Sequence, residues 1–260
     1  MPDPIPVAVV GAQGRVGREV IAGLEADHGF ACVAAVDRDQ SVERALADSG
    51  ARLLVDFTAP QAGLRHALLA VEAGVAPVVG TTGLGEGATE RIRDAAERRG
   101  IGGCVAGNFA LGAVLLEWLA ALAAPYVESA EIVEAHGPHK LDAPSGTALR
   151  TAAAMLAARD GRPFAHRAPE HETLVGTRGG SLGGIAVHSL RVDGVVAEQE
   201  VILGSSGETL RLGQRTTSRA AYVPGVLLAC REVDRTHRFY DGLAEVVGLP
   251  AVAAVQGLSA

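Results

Sequence analysis

The sequence predicts an α/β fold: a parallel sheet covered by helices over about the first hundred residues, then a second unit of α+β type with a mixed open sheet. Three observations predict it. Short apolar runs rich in β-branched residues recur at 7–10, 32–36, 53–57, 75–79 and 101–105, with helix-length segments between most of them, the pattern of right-handed crossovers in a parallel sheet. Behind the first run Val16, Val20, Ile21 and Leu24 return at helical spacing, so the chain reads as strand, glycine turn, helix. Past residue 180 the grammar changes to the successive strands 185–192, 195–203 and 208–215, with Asp193-Gly194 and Ser205-Ser206-Gly207 between them, the signature of a meander.

The intervening elements follow from the same rules. An apolar helix is expected near 111–122, a strand at 130–135 and an alanine-rich helix from Ser145 to about Ala158. The stretch 162–184 is dense in Pro, Gly, His and charge and reads as a long loop, closed by Arg178-Gly179-Gly180, which either lines a cleft or is a solvent-exposed turn. The segment from about Arg219, helical at 226–233, has the option of returning to the first unit, since chain ends often lie close together.

Composition narrows the function. A formal charge of −7 argues against non-specific nucleic-acid binding. The three cysteines, Cys32, Cys104 and Cys230, are odd in number and far apart, so buried free thiols are expected rather than a disulfide framework or metal knuckle. Residues 1–10 lack a basic region and a long apolar run, and no stretch has the length of a membrane span, so no leader or membrane partner is expected and the cytoplasm is the default location.

The first motif is Gly11-Ala-Gln-Gly14-Arg15-Val16-Gly17 between a strand and a helix. Glycines there permit the turn and let backbone N–H groups and the positive helix end approach a pyrophosphate. Asp37 ends the second strand, twenty residues beyond Gly17, where an acid accepts hydrogen bonds from an adenosine ribose. This is the context of a Rossmann-like dinucleotide-binding domain. Arg15 and Arg38 offer cations to a 2′-phosphate, so both NADPH and NADH are expected to serve. An ordinary strand-to-helix turn with surface charges is the alternative. Gly80-Thr81-Thr82-Gly83 follows the fourth strand, where it is either a plain turn or a further contact at the carboxyl edge of the sheet.

The densest motif is Glu134-Ala-His136-Gly-Pro-His139-Lys140-Leu-Asp142-Ala-Pro-Ser145-Gly146-Thr147. Two imidazoles and an ammonium precede a helix start whose free N–H groups and hydroxyls suit a carboxylate, while a cationic acid delivers a proton. The plainer readings are that Ser145 or Thr147 caps the helix and Asp142 anchors the loop. A metal is not expected, since His136 and His139 lack a third ligand nearby.

Taken together these residues resemble the dihydrodipicolinate reductase family of lysine and diaminopimelate biosynthesis. The resemblance rests on GxxGRxGR at 11–18, Asp-Phe-Thr-x-Pro at 56–60, the turn at 80–83, Asn108-Phe109, and His-Lys-x-Asp-Ala-Pro-Ser-Gly-Thr at 139–147. Gly207-Glu208-Thr209-Leu210 and Pro224-Gly225 extend it nearly end to end. It implies a dinucleotide-binding domain of residues 1–107 and 218–260, a substrate-binding and oligomerisation domain of 108–217, and a homotetramer built on the second domain's sheet. It implies NAD(P)H-dependent reduction of 4-hydroxy-tetrahydrodipicolinate, a cyclic imine dicarboxylate, with loss of water. By position His136 becomes the acid/base histidine, Lys140 the proton donor or substrate cation, and Ser145, Gly146 and Thr147 the carboxylate cradle, with His139 beside them. The cofactor positions become Gly11, Gly14, Arg15, Val16, Gly17, Asp37, Arg38, Gly80, Thr82, Ala106 and Phe109.

Two departures stand out. Gly137 occupies the place where the family usually carries a second histidine, and Gly107 that of a proline before Asn-Phe. The chain beyond Arg235 also diverges. A lost imidazole removes a donor worth about 1.5–3 kcal/mol to a charged ligand, so a paralogous reductase of another cyclic imine acid, or a non-catalytic nicotinamide-binding homologue, are the alternatives. Retention of His136, His139 and Lys140 together speaks against the second.

Overall fold

The computed structural model describes residues 3–165 and 169–256. In chain order the elements are β1 (Ile5–Val10), α1 (Arg15–Ala26), β2 (Phe30–Val36), α2 (Val42–Ser49), β3 (Leu53–Asp56), α3 (Pro60–Glu72), β4 (Ala76–Val79), α4 (Ala88–Arg98) and β5 (Gly103–Val105). There follow α5 (Leu111–Ala123), β6 (Ser129–His136), α6 (Gly146–Ala157), β7 (Gly180–Leu182), β8 (Ile185–Arg191), β9 (Ala197–Ser205) and β10 (Glu208–Thr216). The chain then forms α7 (Val223–Thr236), β11 (Phe239–Asp241), α8 (Leu243–Val246) and α9 (Val252–Gln256). Two compact units result, one holding the chain through Leu111 with Arg219–Gly248, the other Gly112–Ser218 with the chain from Leu249.

The first unit is a six-stranded sheet in the order β11-β5-β4-β3-β1-β2, parallel at every pairing. Its strands read as continuous apolar runs because both faces are covered: Val7, Ala8, Val9, Leu54, Val55, Val78 and Val79 are fully buried. Val20 and Leu24 carry the buried stripe of α1, as the helical spacing requires. The sixth strand comes from late in the chain: β11 pairs with β5, Phe239 opposite Gly103. A three-residue strand is too short for periodicity to reveal, and the sequence reading did not include it.

The second unit is a mixed five-stranded sheet, β10-β9-β6-β8-β7, with α6 packed on one face. Ile132, Ile185, Val201 and Leu203 from the sheet meet Ala148, Ala152 and Met155 of α6 in one core. The expected meander is corrected here. β9 and β10 do form a hairpin, but β6 lies between β8 and β9, parallel to the first and antiparallel to the second. Alternation in these strands fixes which side chains face α6 and leaves neighbour order undetermined. The expected loop at 162–184 is also corrected, since residues 180–182 form β7 against β8; its residues 166–168 lie outside the described residues. The tail from Leu249 belongs with the second unit instead of the first, tied there by the Trp118 indole N–H donating to the Pro250 carbonyl at 2.8 Å.

The cysteines form no disulfide. Cys104 and Cys230 are buried, and burial pushes the Cys230 thiol up to about 12; Cys32 is only half-buried. No helix among the described residues is long and apolar enough to cross a membrane.

Candidate active site

In the first unit every position expected to meet a cofactor sits where the parallel strands end. β1 runs into Gly11, β2 into Asp37, β4 into Gly80 and β5 into Ala106, so these residues share the carboxyl edge of the sheet. Gly11 has a φ of +80°, and a Cβ there would lie 2.7 Å from the Phe57 carbonyl oxygen. At Gly17 a Cβ would lie 2.1 Å from the Gly11 carbonyl oxygen, so the turn closes only around hydrogen.

Gly14 is the N-cap of α1 and offers no side-chain cap, and the first turn of that helix has no acid. The amides of Arg15, Val16 and Gly17 make no hydrogen bond within the described residues, which leaves donors and the helix dipole open to an anion. Asp37 accepts from the Arg38 and Gln13 amides, both at 2.8 Å, and these two backbone bonds hold its carboxyl below the ordinary range. Its charge is therefore locked to the glycine turn. Arg15 and Arg38 are exposed, and Thr82 is exposed with no partner for its hydroxyl among the described residues. Ala106 and Phe109 are buried, Phe109 edge-on to Phe57 at 5.8 Å.

In the second unit the motif converges on Glu134, which is fully buried in β6. One oxygen accepts from His136 Nδ1 at 2.6 Å and from Arg191 Nη1 at 3.2 Å. The other accepts from Arg191 Nη2 at 3.0 Å and from the Ser145 amide at 3.3 Å. Burial opposes ionisation, but the hydrogen bonds from Arg191, Ser189 and His136 outweigh it and keep the carboxyl below its ordinary range. Glu134 and His136, two apart on a strand, face the same side, where α6 begins.

Ser145 caps α6, its hydroxyl accepting from the Ala148 amide at 3.1 Å; the plainer reading of this residue is thus realised, and its O–H remains a donor. Thr147 Oγ1 accepts from Arg150 at 3.2 Å and likewise keeps a hydrogen to give. The Gly146 and Thr147 amides have no protein partner among the described residues. Lys140 donates to Asp142 at 2.7 Å, and that bond leads the causes that lower the Asp142 carboxyl. Arg191 also donates to the Asp142 carbonyl at 2.6 Å, so one guanidinium joins the buried carboxylate to the loop that carries Lys140. His139 is exposed and without a partner among the described residues. Gly137 has room but little to spare: a Cβ would lie 3.2 Å from the Val195 carbonyl oxygen.

Sequence reasoning missed Arg191 and gave Glu134 no role. Glu134 had a signal, an acid at an inward position of an apolar strand two residues before a histidine. Arg191 is 57 residues away from it and had none. Asp56, fully buried at the end of β3, and Thr81 entered only as motif residues with no role, and their partner His66 was not singled out. Arg178 proves to be a partner of Glu131 at 2.5 Å rather than a free turn residue.

A glycine turn with open amides at the carboxyl edge of a parallel sheet, and an acid locked beside it, define a Rossmann-type oxidoreductase of the kind that uses NAD(P)H. The chain belongs to the dihydrodipicolinate reductase family: the family's N-terminal model matches residues 5–109 and its C-terminal model residues 112–246. It is 41% identical over 263 residues to the 4-hydroxy-tetrahydrodipicolinate reductase of Moorella thermoacetica, covering 94% of this chain and 98% of that one. It is 44% identical over 232 residues to that of Corynebacterium diphtheriae, covering 88% and 93%. Among solved structures it is similar to a dipicolinate-bound dihydrodipicolinate reductase from Paenisporosarcina sp. TG-14, with a TM-score of 0.84, 31% identity, and coverage of 93% of this chain and 99% of that one.

Proposed function

We propose that this chain reduces 4-hydroxy-tetrahydrodipicolinate, with loss of water, to tetrahydrodipicolinate in lysine and diaminopimelate biosynthesis, using NADPH or NADH. The observation that carries the reading is the Glu134–His136 pair beside the open start of α6: an oriented imidazole next to a cradle for a carboxylate, in a chain of this family. The relatives' printed activity and the dipicolinate in the solved neighbour support the same substrate class.

In this reading the first unit holds the dinucleotide. The Arg15, Val16 and Gly17 amides take the pyrophosphate with Gly11 and Gly14 shaping the turn, Asp37 takes the ribose, and Arg15 and Arg38 take a 2′-phosphate when one is present. Gly80, Thr82, Ala106 and Phe109 line the remainder. When bound, the reduced nicotinamide supplies the hydride. The second unit binds substrate, with Ser145, Gly146 and Thr147 donating to one carboxylate and Lys140 and His139 adding positive charge. His136, its Nδ1 held by Glu134, presents Nε2 for proton transfer, and Lys140 assists. After water leaves, one hydride and one proton added across the conjugated imine complete the reduction. We further propose a cytoplasmic homotetramer assembled through the open face of the second sheet, which rests on the family resemblance.

The test forms the substrate in situ from pyruvate and aspartate semialdehyde with the preceding synthase and follows oxidation of NADPH and NADH. Rapid substrate-dependent oxidation supports the reading. Cofactor binding without oxidation rejects it in favour of a paralogue acting on another cyclic imine acid or a non-catalytic homologue.

A further inference from the structure

We propose that Asp56, His66 and Thr81 form a positioning device for the two loops that hold the dinucleotide; the proposal rests on the cofactor site described above and deepens it. Asp56 ends β3 with no exposed surface. Its carboxylate accepts from Thr81 Oγ1 at 2.6 Å, His66 Nδ1 at 2.8 Å, Thr58 Oγ1 at 2.8 Å and the Thr58 amide at 3.1 Å. Thr81 Oγ1 in turn accepts from the Thr58 amide at 2.7 Å. The Gly80 amide donates to the Asp56 carbonyl at 2.9 Å. Side chain and backbone of one residue thus fasten the exit of β3, the exit of β4 and the flank of α3.

Stability alone does not call for such a cluster, because apolar residues of similar volume usually serve a buried site as well or better. What a fully paired polar network adds is a single backbone arrangement. Two close contacts show what is being arranged. Gly11 of the glycine turn packs on the segment that Asp56 holds, its built Cβ falling 2.7 Å from the Phe57 carbonyl oxygen and 3.1 Å from Thr58 Cγ2. Gly80 backs onto the Phe57 ring, where a Cβ would fall 2.1 Å from the nearest ring carbon. Thr82, whose hydroxyl is unpartnered among the described residues, follows the pinned Thr81 directly. Fixing Thr81 therefore aims Thr82, and fixing Thr58 holds the platform under Gly11.

The experiment uses the full chain and two paired substitutions, Thr81→Val against Thr81→Ser and His66→Leu against His66→Gln, the second of each pair keeping a donor for Asp56. Titration of NADPH and NADH fluorescence gives Kd, thermal unfolding gives Tm, and steady-state kinetics give KM for the imine. Val and Leu variants are expected to raise both dinucleotide Kd values about five-fold or more, while Ser and Gln variants stay within about two-fold and imine KM is unchanged. Wild-type Kd in the Val and Leu variants, or equal weakening within each pair tracking a fall in Tm, overturns the positioning role. If the unmodified chain binds neither nucleotide, the cofactor site itself is overturned, and the two failures are distinguishable.

Discussion

The carboxylate of Glu134 accepts a hydrogen bond from Nδ1 of His136 at 2.6 Å, two residues further along the same strand. The proton on Nδ1 is thereby committed, and Nε2 is the nitrogen that the proposed mechanism uses for proton exchange. A fully buried carboxylate therefore lies directly beside the ring and carries a negative charge there.

Glu134→Gln keeps the shape and removes that charge. General acid-base catalysis typically contributes on the order of 10²–10⁴-fold, so kcat should fall at least about ten-fold while dinucleotide Kd stays put. Steady-state kinetics with the in situ substrate decide it, and a kcat within about two-fold of wild type rejects the role.

Arg191 answers Glu134 with two hydrogen bonds, and its removal leaves a buried carboxylate short of its main partner. Losing one member of a buried pair costs about 3–5 kcal/mol. Arg191→Met should show a loss of that size in urea unfolding, and Arg191→Lys a smaller one. A loss under about 1 kcal/mol for the Met variant means the charge is compensated elsewhere.

The same pair predicts an acid limb. Glu134 titrates below its ordinary value in the folded chain, so as pH falls the unfolded state takes up this proton first. Its contribution is present above the unfolded value of about 4.3 and is lost as pH drops through the lower folded value. The stability gap between wild type and Glu134→Gln should therefore narrow as pH is lowered from about 5 to about 3. A gap that is constant or widens over that range contradicts the assignment.

Lys140 is held by Asp142 at 2.7 Å in the loop between β6 and α6, all inside the second unit. Lys140→Ala should depress kcat and raise imine KM while NADPH and NADH Kd change by less than about two-fold. Unchanged turnover removes Lys140 from the mechanism.

What the sequence revealed and what it hid divide along physical lines. The β1 run, the α1 stripe of Val20 and Leu24, and the Gly11 turn were legible because each is a local pattern with one stable outcome. The seat of β6 between β8 and β9 was hidden because strand alternation specifies a face and not a neighbour. The site shows the same split. His136, Lys140 and Ser145 lie within ten residues and read as a motif, whereas Arg191 reaches Glu134 only through the pairing of β6 with β8, opposite His136 itself.

Gly137 is the position where the local reading and the structure together make the sharpest prediction. A Cβ there would meet only the Val195 carbonyl oxygen, at 3.2 Å, so a side chain requires a shift of a few tenths of an ångström in a turn where Val195 N donates to Val192 O at 3.4 Å. The same turn is tied to β6 where Val192 N donates to His136 O at 2.9 Å, so the shift asked of it is small and confined to Val195. Gly137→His should therefore fold with a Tm close to wild type and add an imidazole next to His136. A new donor to a carboxylate contributes about 1.5–3 kcal/mol at best, equivalent to a ten-fold or greater fall in KM for the imine. Lower KM with kcat little changed would mean that Gly137 is a gap in the substrate cradle. Unchanged KM in a folded variant would mean that the loop, set by Arg191 and Asp142, supplies the binding this position lacks.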